Sequence, residues 1–158
     1  MKRTVVHATT VVERAYDATA AQVFAAWADP AAHGNWLVPG HGWKVVESER
    51  DFRVGGRDFS RFGPPGEPIY HSSGRFEAIV PNVRIVSAGT MHSRGTPTSS
   101  TLCTVEILAE HQGTRLIVTD QSAFFEGLER PVDREEGWRV VIENLARALL
   151  RTGAGRDH

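Results

Sequence analysis

The sequence predicts an α+β chain in which a curved antiparallel sheet of about seven strands wraps around a long C-terminal helix. Two observations carry this reading. β-branched and aromatic stretches, punctuated by glycine, proline and asparagine, fill the chain from Thr4 to Phe124. One helical periodicity then closes it, with Trp138, Val141, Ile142, Leu145 and Leu149 at i, i+3, i+4, i+7 and i+11. A pair of short helical stretches after the first strand completes the order: strand, two helices, further strands, helix.

Each element has its own warrant. Thr4 to Ala15 carries Val5, Val6, Thr9, Thr10, Val11 and Val12, which suit a pleated, half-buried surface. Thr19-Ala20-Ala21-Gln22 fits the capping box, in which hydroxyl and amide satisfy each other's free backbone donors, and Val23, Phe24 and Trp27 follow on one apolar face. Asp29-Pro30 is expected to end that helix and open a second one, with Asp as cap and Pro at the first helical position, running to about Trp36. Leu37 to Gly42 reads as a loop and Trp43 to Asp51 as a strand. Gly55-Gly56 turns the chain into Arg57 to Phe62, and Gly63-Pro64-Pro65-Gly66 into Ile69 to Val80. Pro81-Asn82 leads to Val83 to Met91. The polar segment Ser93 to Ser100 is expected to be a loop or irregular edge, followed by strands Thr101 to Glu110 and Thr114 to Phe124 joined at Gln112-Gly113. The last helix is expected over Pro131 to Arg151 with Gly153 ending it, and Glu135/Arg139 and Glu143/Arg147 stand at i,i+4 in the favourable acid-first order.

Composition narrows the function classes. The 158 residues, 41% hydrophobic and 23% charged, are expected to form one domain spanning 1–158. A net charge of −1 argues against a globally basic nucleic-acid binder, and no apolar run is long enough for membrane insertion. Met1 to Thr10 lacks the apolar core of a signal peptide, which points to the cytoplasm. Cys103 is the one cysteine, so neither an intramolecular disulfide nor a cysteine-rich zinc site can form, and its expected role is a small buried residue on a strand.

No G-x-S-x-G, S-x-x-K, H-E-x-x-H, Walker-type loop or G-x-G-x-x-G is present, so no catalytic set is assigned. The seven histidines are scattered. His71 and His92 fall on or beside strands that could face the interior, His33 and His41 flank Trp36, and none has a metal-ligand spacing partner, so neither a metal nor a cofactor is expected.

A sheet this wide curls, and one helix rarely fills its concave face, so a pocket follows from the topology. The residues expected to line it and bind an apolar ligand are Trp36, Trp43, Phe59, Tyr70, Phe76, His92, Phe124 and Trp138, with Ile142 and Leu145 from the helix. Rings give large contact area with few rotors to freeze, which suits a flat hydrophobic or aromatic ligand. On the strand from Ile69, alternation puts Tyr70, Gly74 and Phe76 on one side and His71, Arg75 and Glu77 on the other; the less polar set is assigned to the pocket, provided no bulge intervenes.

Several stretches, taken in order, resemble the family related to the activator of heat-shock-protein-ninety ATPase. They are Asp17-Ala18-Thr19 with Val23-Phe24-Ala25-Ala26-Trp27, Asp29-Pro30 and Trp36; Asp51-Phe52-Arg53-Val54-Gly55-Gly56; Gly74-Arg75-Phe76-Glu77-Ala78-Ile79-Val80-Pro81; and Gly137-Trp138 with Leu145 and Leu149. The resemblance implies the helix-grip, START-like fold and carries over no catalytic residue. With a pocket expected and no catalytic set, the leading function is binding or sequestration of a hydrophobic or aromatic small molecule; the alternatives are a START-like cyclase, dehydratase or hydrolase using pocket His, Tyr or Arg, and a chaperone-related protein-interaction module. A symmetric homodimer is the expected assembly if the chain associates.

Overall fold

The computed structural model describes residues 3–154. Seven strands, β1 (Val5–Tyr16), β2 (Lys44–Arg50), β3 (Arg57–Gly63), β4 (Tyr70–Val80), β5 (Arg84–Ser93), β6 (Thr96–Glu110) and β7 (Gly113–Phe125), form one antiparallel sheet in the order β1-β7-β6-β5-β4-β3-β2. From β2 onward each strand pairs with its successor, and β1 closes the far side against β7. Helices α1 (Ala20–Ala28) and α2 (Ala32–Asn35) follow β1, and α3 (Pro131–Ala154) follows β7. This is the helix-grip arrangement.

Alternation is cleanest in β7, where Thr114, Leu116, Val118, Asp120, Ser122 and Phe124 are all buried and their neighbours are not. Register carries that phase across the sheet: Val118 lies opposite Val12 of β1 and Val105 of β6, and Leu116 opposite Ile107. Against this face α3 buries Val141, Ile142 and Leu145, with Trp138 and Leu149 partly covered. Each such aliphatic side chain contributes about 1.5–3 kcal/mol of burial. Tyr16 at the end of β1 pins the helix midway, its hydroxyl donating to the Ile142 carbonyl at 2.8 Å, and burial pushes this phenol well above its ordinary range. On the exposed face Arg139 pairs with Glu135 at 2.7 Å and Arg147 with Glu143 at 3.8 Å. Pairs of that kind contribute little stability.

The Thr19 capping box is present, with Gln22 N–H donating to Thr19 Oγ1 at 3.1 Å and Thr19 N–H to Gln22 Oε1 at 2.7 Å. Three expectations need correction. Asp29 does not cap a helix: its carboxylate accepts from Ala31 N–H at 2.8 Å and its carbonyl from Ala32 N–H at 3.0 Å, so Asp29 and Pro30 form a turn and α2 starts only at Ala32. Ser93 to Ser100 is not a loop. Arg94 (φ 50°) and Gly95 (φ 81°) make a two-residue hairpin turn whose left-handed pair matches the twist of the strands, so β6 begins at Thr96. Finally α3 passes through Gly153 to Ala154.

Candidate functional site

The inner face of the sheet, covered by the helices, carries two clusters of charge. The first joins the start of α3 to β6 and β7. Arg134 donates from Nε to Glu129 at 2.8 Å, from Nη1 to Thr101 (2.7 Å), Asp120 (3.0 Å) and Ser122 (3.0 Å), and from Nη2 to Ser99 at 2.6 Å. Asp120 also accepts from Trp138 Nε1 at 2.7 Å and from Ser122, while Glu129 Oε1 accepts from Ser99 at 2.7 Å and Thr98 at 3.2 Å. Burial works against the charged guanidinium, but Asp120 and Glu129 overcome it and hold Arg134 above its ordinary range.

The second cluster ties the short helices to β2 and β3. Arg50, with its side chain 2% exposed, donates to Asp58 Oδ1 at 3.1 Å and to the carbonyls of Trp27 (2.5 Å) and Asp29 (3.2 Å) at the end of α1. His33 on α2 meets the same Asp58 oxygen through Nε2 at 2.6 Å. Burial raises the Asp58 carboxyl, yet the His33 hydrogen bond and the Arg50 charge outweigh it and leave the group below the usual carboxylate range.

Between the clusters the inner face is lined by small side chains. Asp58 is followed across the sheet by Gly74, Gly89 and Thr101, and the adjacent row by register is Ser60, Ser72, Met91 and Ser99. The two glycines are obligatory for the strands themselves: a Cβ on Gly74 would sit 2.5 Å from the Ala88 carbonyl oxygen, and one on Gly89 2.9 Å from that of Ser73. Ser72, Ser87, Met91 and Cys103 face the helices and still keep accessible surface. At one end stands an aromatic wall, Trp43 stacked on Tyr70 at 5.2 Å between ring centroids, with Phe62 at 5.8 Å from Tyr70. The loop before β2 allows this because Gly40 lacks the Cβ that the Trp43 indole would strike, and it rests on α3 where Pro39 approaches Gly137 and Asn144 donates to the Trp36 carbonyl at 3.2 Å.

Of the residues expected to bind a ligand, Trp36, Tyr70, Phe76, Phe124, Trp138, Ile142 and Leu145 lie on the helix side of the sheet, with Trp43 against Tyr70. Trp36 stands edge-on to Trp27 at 4.8 Å, and Phe76 and Leu145 are closed off in the core. Tyr70, Gly74 and Phe76 share the inner face; a bulge does occur, but after Phe76, so that phase survives. Phe59 and His92 were expected in the pocket and are on the opposite, outer face. Alternation with the buried Ser60 and Phe62 turns Phe59 outward, and His92 pairs with the outward His71. There His71 and His92 stack at 4.1 Å, with Phe59 5.9 Å from His71. Burial, followed by the neighbouring His92 and Arg61, lowers the His71 pKa. The outer face also holds an open trough of about 940 Å³ floored by Ser73, Ala88, Thr90, Ser100 and Gln121. Its hydroxyls in part satisfy one another, as Thr90 does Ser100 at 3.1 Å.

Residues 17–150 match the family described as Activator of Hsp90 ATPase homolog 1-like protein. The chain belongs to this family. Its fold is that of a Rhizobium leguminosarum protein of uncharacterised function, 31% identical, with a TM-score of 0.84 over 96% of this chain and 99% of that one. The Mll3558 protein of Rhizobium loti is 41% identical, with a TM-score of 0.82 over 92% and 99%. An AHSA1-like protein of Aeromonas hydrophila, 21% identical, shares the fold with a TM-score of 0.73 over 96% and 98%. No curated protein matches the chain.

In this member of the Hsp90 ATPase activator homolog 1-like family, the matched span takes in both charge clusters and the small-residue band between them. Among the described residues no three His, Cys, Asp or Glu side chains are grouped to hold a metal ion, and no helix is long and apolar enough to cross a membrane. Sequence reasoning missed Asp58, Arg50, Asp120 and Arg134. The available signal was a charged residue at an inward phase: Asp120 falls in step with Leu116 and Val118, and Asp58 in step with Ser60 and Phe62.

Proposed function

We propose that this protein binds a small apolar or amphipathic molecule on the inner face of its sheet, in the cleft between the Trp43–Tyr70–Phe62 wall and the two charge clusters. One observation carries the reading. Ser72, Ser87, Met91 and Cys103 lie mid-sheet on the covered face and keep accessible surface, whereas Phe76, Val105 and Val118 on the same face are 2%, 3% and 0% exposed. A purely structural core favours side chains that fill such space, because each unfilled void forfeits contact energy. The aromatic rings at one end suit a ligand with a flat apolar body. The outward position of His71 and His92 leaves an acid–base reaction in the cleft without either histidine. The outer trough is less suited to retention, since an open surface leaves most of a ligand in water.

Native mass spectrometry of the purified protein, repeated after denaturation and after incubation with naphthalene-based compounds, tests this. We expect a non-covalent adduct that is released on denaturation and is absent from Ser72→Phe, whose ring would occupy the band. Absence of any adduct with the native protein, or an adduct retained by Ser72→Phe, would contradict it.

A further inference from the structure

We propose that Asp58 is the polar anchor of this cleft, and that the ligand enters with a hydrogen-bond donor, a hydroxyl or a protonated amine, directed at it; this rests on the binding reading above. The two oxygens of the carboxylate differ in their partners. Oδ1 takes both His33 Nε2 and Arg50 Nε. Oδ2 makes no hydrogen bond among the described residues, and the side chain is 20% exposed, so that oxygen is neither satisfied nor sealed. A carboxylate oxygen left unpaired in a largely desolvated site has strong affinity for a donor.

The surroundings favour a donor over an acceptor. Arg134 already spends its donors on Glu129, Thr101, Asp120, Ser122 and Ser99, and Arg50 is enclosed against Asp58 and the end of α1. A ligand ending in a carboxylate or phosphate would therefore meet the Asp58 charge where Arg134 is engaged by Asp120 and Glu129 and Arg50 is held against Asp58 itself. The site is also placed to be reached. Asp58 shares a register row with Gly74 and Gly89, so the sheet itself contributes no side chain beside it for the width of two strands, about 10 Å at the usual strand spacing. His33 and Arg50 hold the carboxyl ionised through the neutral range, which keeps its accepting strength constant there.

Calorimetric titration with naphthalene-2-methanol, its methyl ether and 2-naphthoate tests the assignment. Alcohol and ether share the apolar body and differ by one O–H. For the wild-type protein we expect the alcohol to bind about tenfold more tightly than the ether, as a hydrogen bond to a charged acceptor implies, and the naphthoate to bind more weakly than either. In Asp58→Asn the preference should fall to within about twofold while affinity for the ether is unchanged, because only the charge-assisted part of the contact is lost. A preference of equal size in Asp58→Asn, or none in the wild type although the ether binds, would overturn the role of Asp58 and leave the binding reading standing. Failure of alcohol and ether alike to bind would remove both. The wild-type protein gives an independent readout should the variant fold poorly: the Asp58 ¹³Cγ resonance should move on saturation with the alcohol and not with the ether, and a resonance that stays still with the alcohol bound would overturn the assignment.

Discussion

Asp58 makes stability depend on acid in a direction that can be worked out. Its carboxyl titrates below the ordinary value of 3.8 in the folded protein, so between the folded value and 3.8 the unfolded chain binds a proton that the native chain refuses. Stability therefore rises with pH through that window, is fully present above it, and is lost as pH falls through the folded pKa. Urea unfolding at pH 6 and pH 3 should show a larger loss for the wild type than for Asp58→Asn; equal losses would contradict the pairing with His33 and Arg50. These same residues mark where the sequence stops being informative. Trp43 and Tyr70 were legible because a large ring must be placed somewhere apolar. A charged residue on a strand reads as a solvated face, and nothing local reveals that His33 and Asp58, 25 residues apart, will meet. The contact is created by register, which single-strand patterns do not encode.

Among the elements, β4 and β5 set the shape of the small-residue band on the inner face. Gly74 and Gly89 face each other in register, and the backbones approach so closely that neither position has room for a Cβ. Gly74→Val is expected to force the strands apart and to cost about 2–3 kcal/mol in a denaturation experiment, the upper range for a single substitution; a change within about 0.5 kcal/mol would show that the sheet can absorb the side chain. Gly74 within β4 was visible in the sequence, but its close approach to Gly89 was not, because β5 was delimited only by its turn residues. The β5–β6 hairpin shows a related limit. Its strand ends are polar, Ser93 and Thr96 to Ser100, and hydrophobicity alone misreads them as loop. The Arg94-Gly95 turn allows the ladder to continue, and Ser99 is then buried on the inner face by register with Phe124. The α3 periodicity, by contrast, was readable almost residue for residue, since a single apolar stripe needs no partner to be recognised.

For the molecule as a whole, element order and the wrapping of the sheet around α3 followed from the sequence, because both rest on strong local signals: turns, one capping box and one long amphipathic stripe. The division of the aromatic residues between the two faces of the sheet did not follow for β3 and for the end of β5, and Phe59 and His92 changed sides accordingly. Nor was the outer trough legible, since it arises from the coiling of five strands and from small outward residues contributed by each. The sheet therefore presents two distinct faces, an inner one with charge and aromatic rings, where the ligand is proposed to bind, and an outer one with an open trough floored by small side chains. Met91 distinguishes them. It is one of two methionines in the chain and faces the inner band, opposite Ser72 and Ser99, while Ala88, Ser100 and Gln121 report on the trough. Titration of methyl-¹³C-methionine, ¹⁵N-labelled protein with naphthalene-2-methanol is the most direct test: the account predicts that the Met91 methyl shifts saturably and the trough amides stay in place, and a still Met91 methyl with moving trough amides would contradict it.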